Sequence, residues 1–360
     1  MIAEKIRMDL HAIPEIGYCE FETKKYILSF LQNLGCKIFE VEDTGVVAFF
    51  DFGKSEAVAI RADMDALPIE EQTNLSFKSR HKGFMHACGH DGHMAMALAA
   101  AKYVNDTKNF SKNVVFVFQP AEELDGGARH IIDSGIFKKF NITSIFGIHL
   151  WPDLPKGKVY SKSGAIMAKA SETDITVSGM ACHVADGEKG IDALMSAAEL
   201  LTKIRKIETL ANEKEKCVLK FGKMSAGSLR NIVCDKAEIN GTMRVLSMDM
   251  FEFLKGELLS AAYEVEKQFG CKIDVNIKDG FPPVINDKTL FEKVQNAFQI
   301  NLLEKPVMQA EDFSFYGKVC PSVFFFLGLG EGMKLHSEKF DFDMSVLNVG
   351  VELYKKLLTL

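Results

Sequence analysis

The chain has 360 residues, 47% of them hydrophobic and 26% charged, with a net charge of −6 at pH 7. This length predicts two domains of a globular protein, and the negative charge without a basic cluster argues against nucleic-acid binding. The apolar stretches fall far short of the ~20 residues of a membrane span, and the amino terminus lacks the apolar core of a signal peptide. The 8 cysteines are scattered singly. Such spacing is expected of reduced thiols in the cytoplasm.

The first half of the chain alternates between predicted helices and strands. The continuous apolar run Val114–Phe118 predicts a strand that helices bury on both faces. In chain order, the pattern predicts helices over Ile2–Leu10 and Phe21–Leu34, strands over Val46–Phe50 and Ala57–Ile60, a helix over Met94–Val104, a strand over Val114–Phe118, a helix over Ala128–Ser134 and a strand over Ser144–His149. Strand–helix alternation of this kind predicts an α/β layer sandwich.

The pattern changes near Ser171. There the sequence predicts a strand over Thr173–Ser178, a helix over Asp192–Ile207, strands over Cys217–Phe221 and Lys236–Leu246, a helix over Met248–Phe269 and a strand over Lys272–Ile277. This β-α-β-β-α-β order is the ferredoxin-like pattern. The chain then returns to a helix over Thr289–Leu302, a strand over Ser322–Leu327 and a helix over Ser345–Leu360. We therefore predict an α/β domain formed by residues 1–170 and 282–360, with an α+β domain inserted at residues 171–281.

Side chains that can bind a metal ion or a proton lie where predicted elements begin or end: Cys88, His90, Glu122, Glu123, His149 and His336. Ligands of open α/β sheets collect at the carboxyl ends of strands. Thiolate, imidazole and carboxylate together suit Zn, Mn, Co or Ni better than Mg or Ca. Each residue alone has an ordinary explanation, as a small core cysteine, a hydrogen-bonded histidine or a glutamate compensating a helix dipole. Their coincidence at element ends favours a metal site.

Stretches along nearly the whole chain resemble one family of enzymes. They are Asp9–Glu15 (DLHAIPE), Arg61–Pro68 (RADMDALP), Met85–Asp91 (MHACGHD), Phe118–Glu123 (FQPAEE), Gly241–Arg244 (GTMR), Ala310–Phe313 (AEDF) and Leu335–Ser337 (LHS). In this order they resemble the metal-dependent amidohydrolases of the aminoacylase and carboxypeptidase type. The branch they resemble most includes hippurate hydrolases, N-acetyldiaminopimelate deacetylases and indole-acetyl-amino-acid hydrolases.

The resemblance implies a zinc-exopeptidase-like, three-layer catalytic domain whose inserted domain acts as a lid and dimerisation domain. It also implies two divalent ions per subunit, chosen from Mn, Zn, Co and Ni. The implied ligands are Cys88, His90, Glu123, His149 and His336. Cys88 would bridge the two ions, and Glu122 would be the general base that takes a proton from an activated water molecule.

Further roles are implied for residues outside the ligand set. Asp63 and Asp65 would orient a ligating imidazole, with a charged loop cap as the alternative. Arg244 would clamp the free carboxylate of the substrate, and Asn231 would add an amide donor, although an arginine on a strand also commonly forms a surface ion pair. His183 would reach across a dimer interface to stabilise the oxyanion.

These features predict a homodimeric, cytoplasmic hydrolase of N-acyl-L-amino acids that binds neither nucleic acid nor membranes. A dipeptidase or carboxypeptidase with the same metal centre is the alternative within enzymes. A non-catalytic metal-binding protein would not need Glu122 beside a complete ligand set, and a zinc deaminase would need the CxxC pair that this sequence lacks. The chain departs from the family at Glu188, where relatives commonly have a histidine, so the side chain of the substrate stays open.

Overall fold

The computed structural model describes residues 2–124 and 126–360, and their contacts form two compact units. Unit 1 comprises the chain up to Ile166 together with Ile285–Lys305 and Asp312–Leu360. Unit 2 comprises Met167–Val284 and Pro306–Glu311. The inserted domain expected at residues 171–281 lies inside unit 2.

The elements are numbered here in chain order. The strands are β1 (Lys37–Val41), β2 (Gly45–Phe50), β3 (Ala57–Asp63), β4 (Asn113–Gln119), β5 (Ile142–Trp151), β6 (Val159–Ser161), β7 (Gly164–Met167), β8 (Lys169–Ser178), β9 (Val218–Ala226), β10 (Lys236–Val245), β11 (Lys272–Ile277), β12 (Val284–Asn286), β13 (Asn301–Leu302) and β14 (Ser322–Gly328). The α-helices are α1 (Ile2–His11), α2 (Phe21–Leu31), α3 (His90–Thr107), α4 (Gly127–Asp133), α5 (Ile136–Lys139), α6 (Ala193–Asn212), α7 (Met248–Phe269), α8 (Lys288–Ala297) and α9 (Val346–Leu357). Short 3-10 helices span Val184–Lys189 and Asp312–Lys318.

Unit 1 is built on a mixed sheet with the strand order β1-β2-β4-β3-β5-β14-β6-β13. The central strands β4, β3, β5 and β14 run parallel, and β1 and β2 continue the sheet antiparallel. Every residue of β2, β3, β4 and β14 is buried. Helices α1, α3 and α9 contact one another, and their apolar side chains share one core with alternate residues of these strands. The predicted α/β layer architecture is therefore confirmed.

Unit 2 contains an antiparallel sheet in the order β11-β8-β10-β9. Helices α6 and α7 pack together, and their apolar side chains form a core with the sheet. Buried and more exposed residues alternate along β8, as a strand covered on one face requires. Strand β9 lies at the edge of the sheet and is mostly exposed. The predicted β-α-β-β-α-β order is confirmed.

Several elements differ from the sequence-based expectation. Helix α3 begins at His90 rather than at Met94, so its first turn includes a predicted metal ligand. The helix expected up to Leu302 ends at Ala297, because Asn301–Leu302 instead pairs with β6. The strands β1, β6, β7, β12 and β13 were not predicted. No helix within the described residues is both long enough and apolar enough to cross a membrane.

Candidate metal centre

Glycines allow the turn before α3 to approach the end of β5. Gly89 has a φ of +89°, a left-handed conformation that glycine adopts without steric cost. A Cβ atom at Gly92 would lie only 2.6 Å from Leu150 Cδ1. Because neither glycine has a side chain, the turn and the first residues of α3 lie against β5, and Cys88 Sγ lies 3.5 Å from His149 Nε2.

A second tight turn, after β4, carries the adjacent glutamates. Ala121 has a φ of +52°, and a Cβ atom at Gly127 would lie 1.9 Å from the Pro120 carbonyl oxygen. Glycine is therefore needed at residue 127 for the chain to turn back so closely. The backbone N–H of Glu123 donates a hydrogen bond of 2.9 Å to Asp65 Oδ2, which fixes the pair relative to the end of β3.

The loop after β14 brings His336 to the same place. Its backbone N–H donates a hydrogen bond of 2.8 Å to the Ala87 carbonyl, directly before Cys88. His336 has a φ of +60°, which is uncommon for a residue with a side chain. Its Nε2 lies 3.2 Å from Glu123 Oε1, and its side chain is 51% exposed. The imidazole thus stands at the solvent-facing side of the cluster.

Together these turns place the predicted ligands in one group of side chains in unit 1. Potential ligand atoms of Cys88, His90 and His149 lie within 4.8 Å of one another, as do those of Cys88, Glu123 and His336. Glu122 forms a third such group with His90 and Glu123. Cys88 is the residue shared by the first two groups.

The hydrogen bonds of the imidazoles leave particular nitrogens free to bind a cation. His90 Nδ1 donates to the Asp65 carbonyl at 2.9 Å, so in the neutral imidazole the lone pair is on Nε2, and this buried nitrogen has no hydrogen-bond partner. His149 Nδ1 donates to the Leu150 carbonyl at 2.7 Å, which leaves Nε2 facing Cys88. A buried nitrogen without a partner, beside a thiol and a carboxylate, fits a divalent cation.

The electrostatics of the cluster also fit a cation. Burial, followed by the Glu123 and Glu122 carboxylates, raises the pKa of Cys88 well above its usual value. Burial lowers the pKa of His149 well below its usual value, so that imidazole is neutral and ready to act as a ligand. Although burial opposes it, the Asp63 and Asp65 carboxylates raise the pKa of His90 to about 10. A bound cation would therefore displace a proton from His90 and favour the Cys88 thiolate.

Asp63, the last residue of β3, and Asp65, two residues further on, hold different imidazoles. Asp65 Oδ1 lies 3.2 Å from His90 Nδ1, so Asp65 contacts both His90 and the backbone of Glu123. Asp63 Oδ1 accepts a hydrogen bond of 2.6 Å from His93 Nδ1. His93 Nε2 in turn accepts the Leu150 N–H at 2.9 Å. Both nitrogens of His93 are thereby used, which explains why His90, and not His93, has a free nitrogen.

A buried network of hydrogen-bonded side chains lies next to Asp63, and the sequence pattern did not predict it. Arg61 donates to Asp63 Oδ2 at 2.6 Å and to Asp312 Oδ1 at 2.8 Å, and Gln119 donates to Asp312 Oδ2 at 2.8 Å. Asp312 Oδ2 also accepts the Ala128 N–H at 3.0 Å. Asp312 therefore joins β3, β4 and α4. The only sequence signal was that Arg61 and Asp312 are charged residues within the matching stretches.

The predicted substrate-binding residues all lie in unit 2. His183 is exposed, and its Nδ1 accepts the Ala185 N–H at 3.2 Å, so the neutral imidazole carries its proton on Nε2. Val184, the residue after His183, donates its backbone N–H to the Asn231 carbonyl at 3.1 Å. This bond brings His183 and Asn231 close together. Arg244, on β10, donates from Nη1 to the Met308 carbonyl at 2.8 Å.

Comparison with known proteins finds relatives that match this chain over nearly their whole length. It is 34% identical over 366 residues to an uncharacterized hydrolase of Staphylococcus saprophyticus, covering 98% of this chain and 95% of that protein. It is 35% identical over 367 residues to an uncharacterized hydrolase of Staphylococcus epidermidis, covering 98% of this chain and 96% of that protein. The crystal structure of Bacillus subtilis YxeP, described as a dinuclear metal binding peptidase from the M20 family, superposes with a TM-score of 0.88 at 30% identity, covering 99% of this chain and 96% of that one. The sequence pattern of peptidase family M20/M25/M40 matches residues 59–360, and the chain belongs to this family of hydrolases.

Proposed function

We propose that this protein hydrolyses the amide bond of N-acyl-L-amino acids with the help of two divalent metal ions per subunit. The observation that carries the proposal is the convergence of thiol, imidazole and carboxylate atoms around Cys88, with the buried Glu122 beside them. The dinuclear metal binding described for the Bacillus subtilis relative supports it. A cluster of this composition suits Mn, Zn, Co or Ni.

In this proposal Cys88, His90, Glu123, His149 and His336 would hold the ions. Asp65 orients His90 by accepting its Nδ1–H, and Asp63 acts on His149 through His93 and the backbone N–H and carbonyl of Leu150. Such partners fix the ring orientation and raise the basicity of a ligand. When bound, the ions supply Lewis acidity that polarises the scissile carbonyl and lowers the pKa of a water molecule.

Glu122 is the general base of the proposed reaction. It takes one proton from the attacking water as the new C–O bond forms, and it delivers a proton to the amide nitrogen as the C–N bond breaks. The second proton of the water ionises from the new carboxyl group and is taken up by the amine, so the products are the carboxylate of the acyl group and the amino acid with an ammonium group. Glu122 is buried and lies in one group with His90 and Glu123, which is where a base acting on this water is needed.

The residues of unit 2 are proposed to bind the substrate. Arg244 recognises the free carboxylate, and Asn231 adds an amide donor. His183 donates its Nε2–H to the developing oxyanion, a role that fits its tautomer. We propose that unit 2 also forms a homodimer and that His183 serves the partner's active site, because β9 is an exposed edge strand with unpaired backbone groups.

We further propose that the protein works in the cytoplasm. All 8 cysteines are free, which is the state expected in a reducing compartment. Cys88 would need this environment, because oxidation of a ligating thiol removes its ability to bind metal.

A substrate panel tests the proposed reaction. Acetyl-, benzoyl- and indole-acetyl-amino acids would be compared with dipeptides, in protein loaded with Mn, Zn, Co or Ni. We expect hydrolysis of at least one N-acyl-amino acid, and weak hydrolysis of its C-terminal amide, since Arg244 recognises the free acid. Cleavage of dipeptides alone would establish the dipeptidase instead. Equal efficiency on acid and amide would remove Arg244 from the site.

A further inference from the structure

A carboxyl group outside the proposed ligand set is buried against the turn that carries the adjacent glutamates. Glu20 directly precedes α2 and is 0% exposed. Its Oε1 accepts the backbone N–H of Ala121 at 2.9 Å, so it contacts the residue immediately before Glu122. Burying a carboxyl group is costly unless its hydrogen bonds are made inside the protein. The contact with Ala121 is one bond that compensates for this cost, and the Thr44 side chain supplies another.

Ala121 adopts a conformation that needs support from its neighbours. Its φ of +52° lies in the left-handed region, which residues with a side chain rarely occupy. A Cβ atom at Gly17 would lie 2.8 Å from the Ala121 Cβ, so the segment before α2 packs directly against this turn. The Ala121 carbonyl accepts the Gly127 N–H at 3.2 Å. A backbone conformation of this kind persists only where the surroundings hold it.

We propose that Glu20 is a positioning residue, which holds the Ala121 turn in its left-handed conformation and thereby aims Glu122 and Glu123 into the metal centre. This inference rests on the proposed function of those two glutamates. Burial raises the pKa of Glu20 to about 7. Both the neutral and the charged carboxyl retain a lone pair for the Ala121 N–H, so an amide oxygen at the same place should serve equally well.

Two variants separate this role from general stabilisation. Glu20→Leu keeps the approximate volume but removes the acceptor, which leaves the buried Ala121 N–H without a partner. Glu20→Gln keeps an acceptor oxygen. Asp287→Ala is the matched control, because Asp287 Oδ1 also accepts a backbone N–H in unit 1, that of Leu290 at 2.7 Å, where it caps α8. Asp287→Ala therefore loses a hydrogen bond between a carboxylate and a backbone N–H, but it leaves the Ala121 turn unchanged.

The measurements are the Mn²⁺ dissociation constant, the absorption spectrum of the Co²⁺-loaded protein and the steady-state kinetics. For folded Glu20→Leu we expect Mn²⁺ affinity to fall about 10-fold or more, the Co²⁺ spectrum to change, and kcat to fall on the order of 10²-fold with little change in KM. Glu20→Gln and Asp287→Ala should match the wild type in all three. Folded Glu20→Leu with wild-type metal binding, spectrum and kcat would overturn the proposal.

Two further results are decisive. If Glu20→Leu does not fold, Glu20→Asp takes its place, because the shorter side chain cannot reach Ala121 without moving the turn. Weakened Mn²⁺ binding by Glu20→Asp would then support the proposal. Wild-type Mn²⁺ binding, Co²⁺ spectrum and kcat of Glu20→Asp would overturn it. If the wild type hydrolyses no N-acyl-amino acid, the proposed function fails. The Mn²⁺ affinity and the Co²⁺ spectrum still test the positioning role, because neither requires a substrate.

Discussion

The neighbouring glutamates 122 and 123 have different surroundings. Glu123 is tied through its backbone to Asp65, and its Oε1 lies 3.2 Å from His336 Nε2. The His336 hydrogen bond and the charge of His90 lower the pKa of Glu123 although its burial opposes this. Glu123 is therefore ionised and placed among the proposed ligands, whereas Glu122 is the more deeply buried of the two.

Replacing each glutamate with glutamine should have different consequences. Glu122→Gln removes the general base, so we expect full metal content and a kcat lower by at least ~10²-fold. Glu123→Gln removes a charged ligand, so metal content measured by elemental analysis should fall together with activity. If Glu122→Gln lost metal while Glu123→Gln kept it, the roles within the pair would have to be exchanged.

Residue types and their positions at element ends were enough to predict which side chains gather. Cys88, His90 and His149 do lie together, and so do Glu123 and His336 with Cys88. The sequence could not predict which nitrogen each imidazole uses. For His149 and His93 that choice depends on the backbone of Leu150, whose carbonyl accepts from His149 and whose N–H donates to His93, and for His90 it depends on the Asp65 carbonyl. The bonds of His90 and His93 join α3 to distant parts of the chain, so they form only when these parts come together.

Among the elements, α1 and α3 are joined by buried charges. Arg7 Nε donates to Asp91 Oδ2 at 3.0 Å, and His11 Nδ1 lies 2.8 Å from the same oxygen. His11 Nε2 lies 3.4 Å from Glu71 Oε1. Although burial alone would lower it, the hydrogen bonds to Asp91 and Glu71 raise the pKa of His11 to about 9. The folded protein therefore holds His11 as an imidazolium at neutral pH.

His11 should make stability depend on pH. Because its pKa is raised on folding, its contribution is complete below the unfolded value of about 6.5 and is lost as the pH rises through about 9. At most about 3 kcal/mol follows from the size of this shift. The free energy of unfolding of wild type and His11→Gln, measured with urea from pH 6 to 9.5, should converge as the pH rises.

A suitable control for His11 is His130→Gln. His130 is exposed and pairs with Glu42, also exposed, so its loss should change stability little at any pH. A difference between wild type and His11→Gln that stayed constant, or grew, between pH 6.5 and 9 would contradict the assignment of a raised pKa.

The elements that the sequence did not predict lie mainly at sheet edges. β1 and β13 end the large sheet, and β6 and β13 are only a few residues long. A short strand at the edge of a sheet contains too few residues to show a clear alternation of apolar and polar side chains, and one of its sides faces solvent. Asn301–Leu302 continued a helical pattern in the sequence, yet it pairs with β6. The extended conformation of this segment results from pairing with a distant strand, which the local sequence could not predict.

At the scale of the whole molecule, the proposed dimer predicts that mixing two inactive variants restores activity. Two-fold symmetry lets each chain donate the same residue to its partner. His183→Ala and Glu122→Gln should each be nearly inactive, since loss of one oxyanion donor typically costs about 10²- to 10³-fold in kcat. After subunit exchange, a heterodimer would contain one site with both Glu122 and His183. Activity should therefore recover in the mixture.

Exchange must be shown independently, for example by native mass spectrometry of subunits with different masses. Each variant incubated alone for the same time controls for slow activation. Proven heterodimers without recovered activity would mean that His183 acts within its own chain or has no part in the reaction.

The cluster around Cys88 in unit 1 predicts that hydrolysis depends on a metal ion. To test this, metal is removed with a chelator, and elemental analysis confirms that the protein is free of metal. Hydrolysis of an N-acyl-amino acid is then measured before and after a divalent ion is added back. We predict no turnover without metal, recovery with Mn, Zn, Co or Ni, and no recovery for Cys88→Ala, which should also fail to take up metal. Full turnover by the metal-free protein would contradict the account.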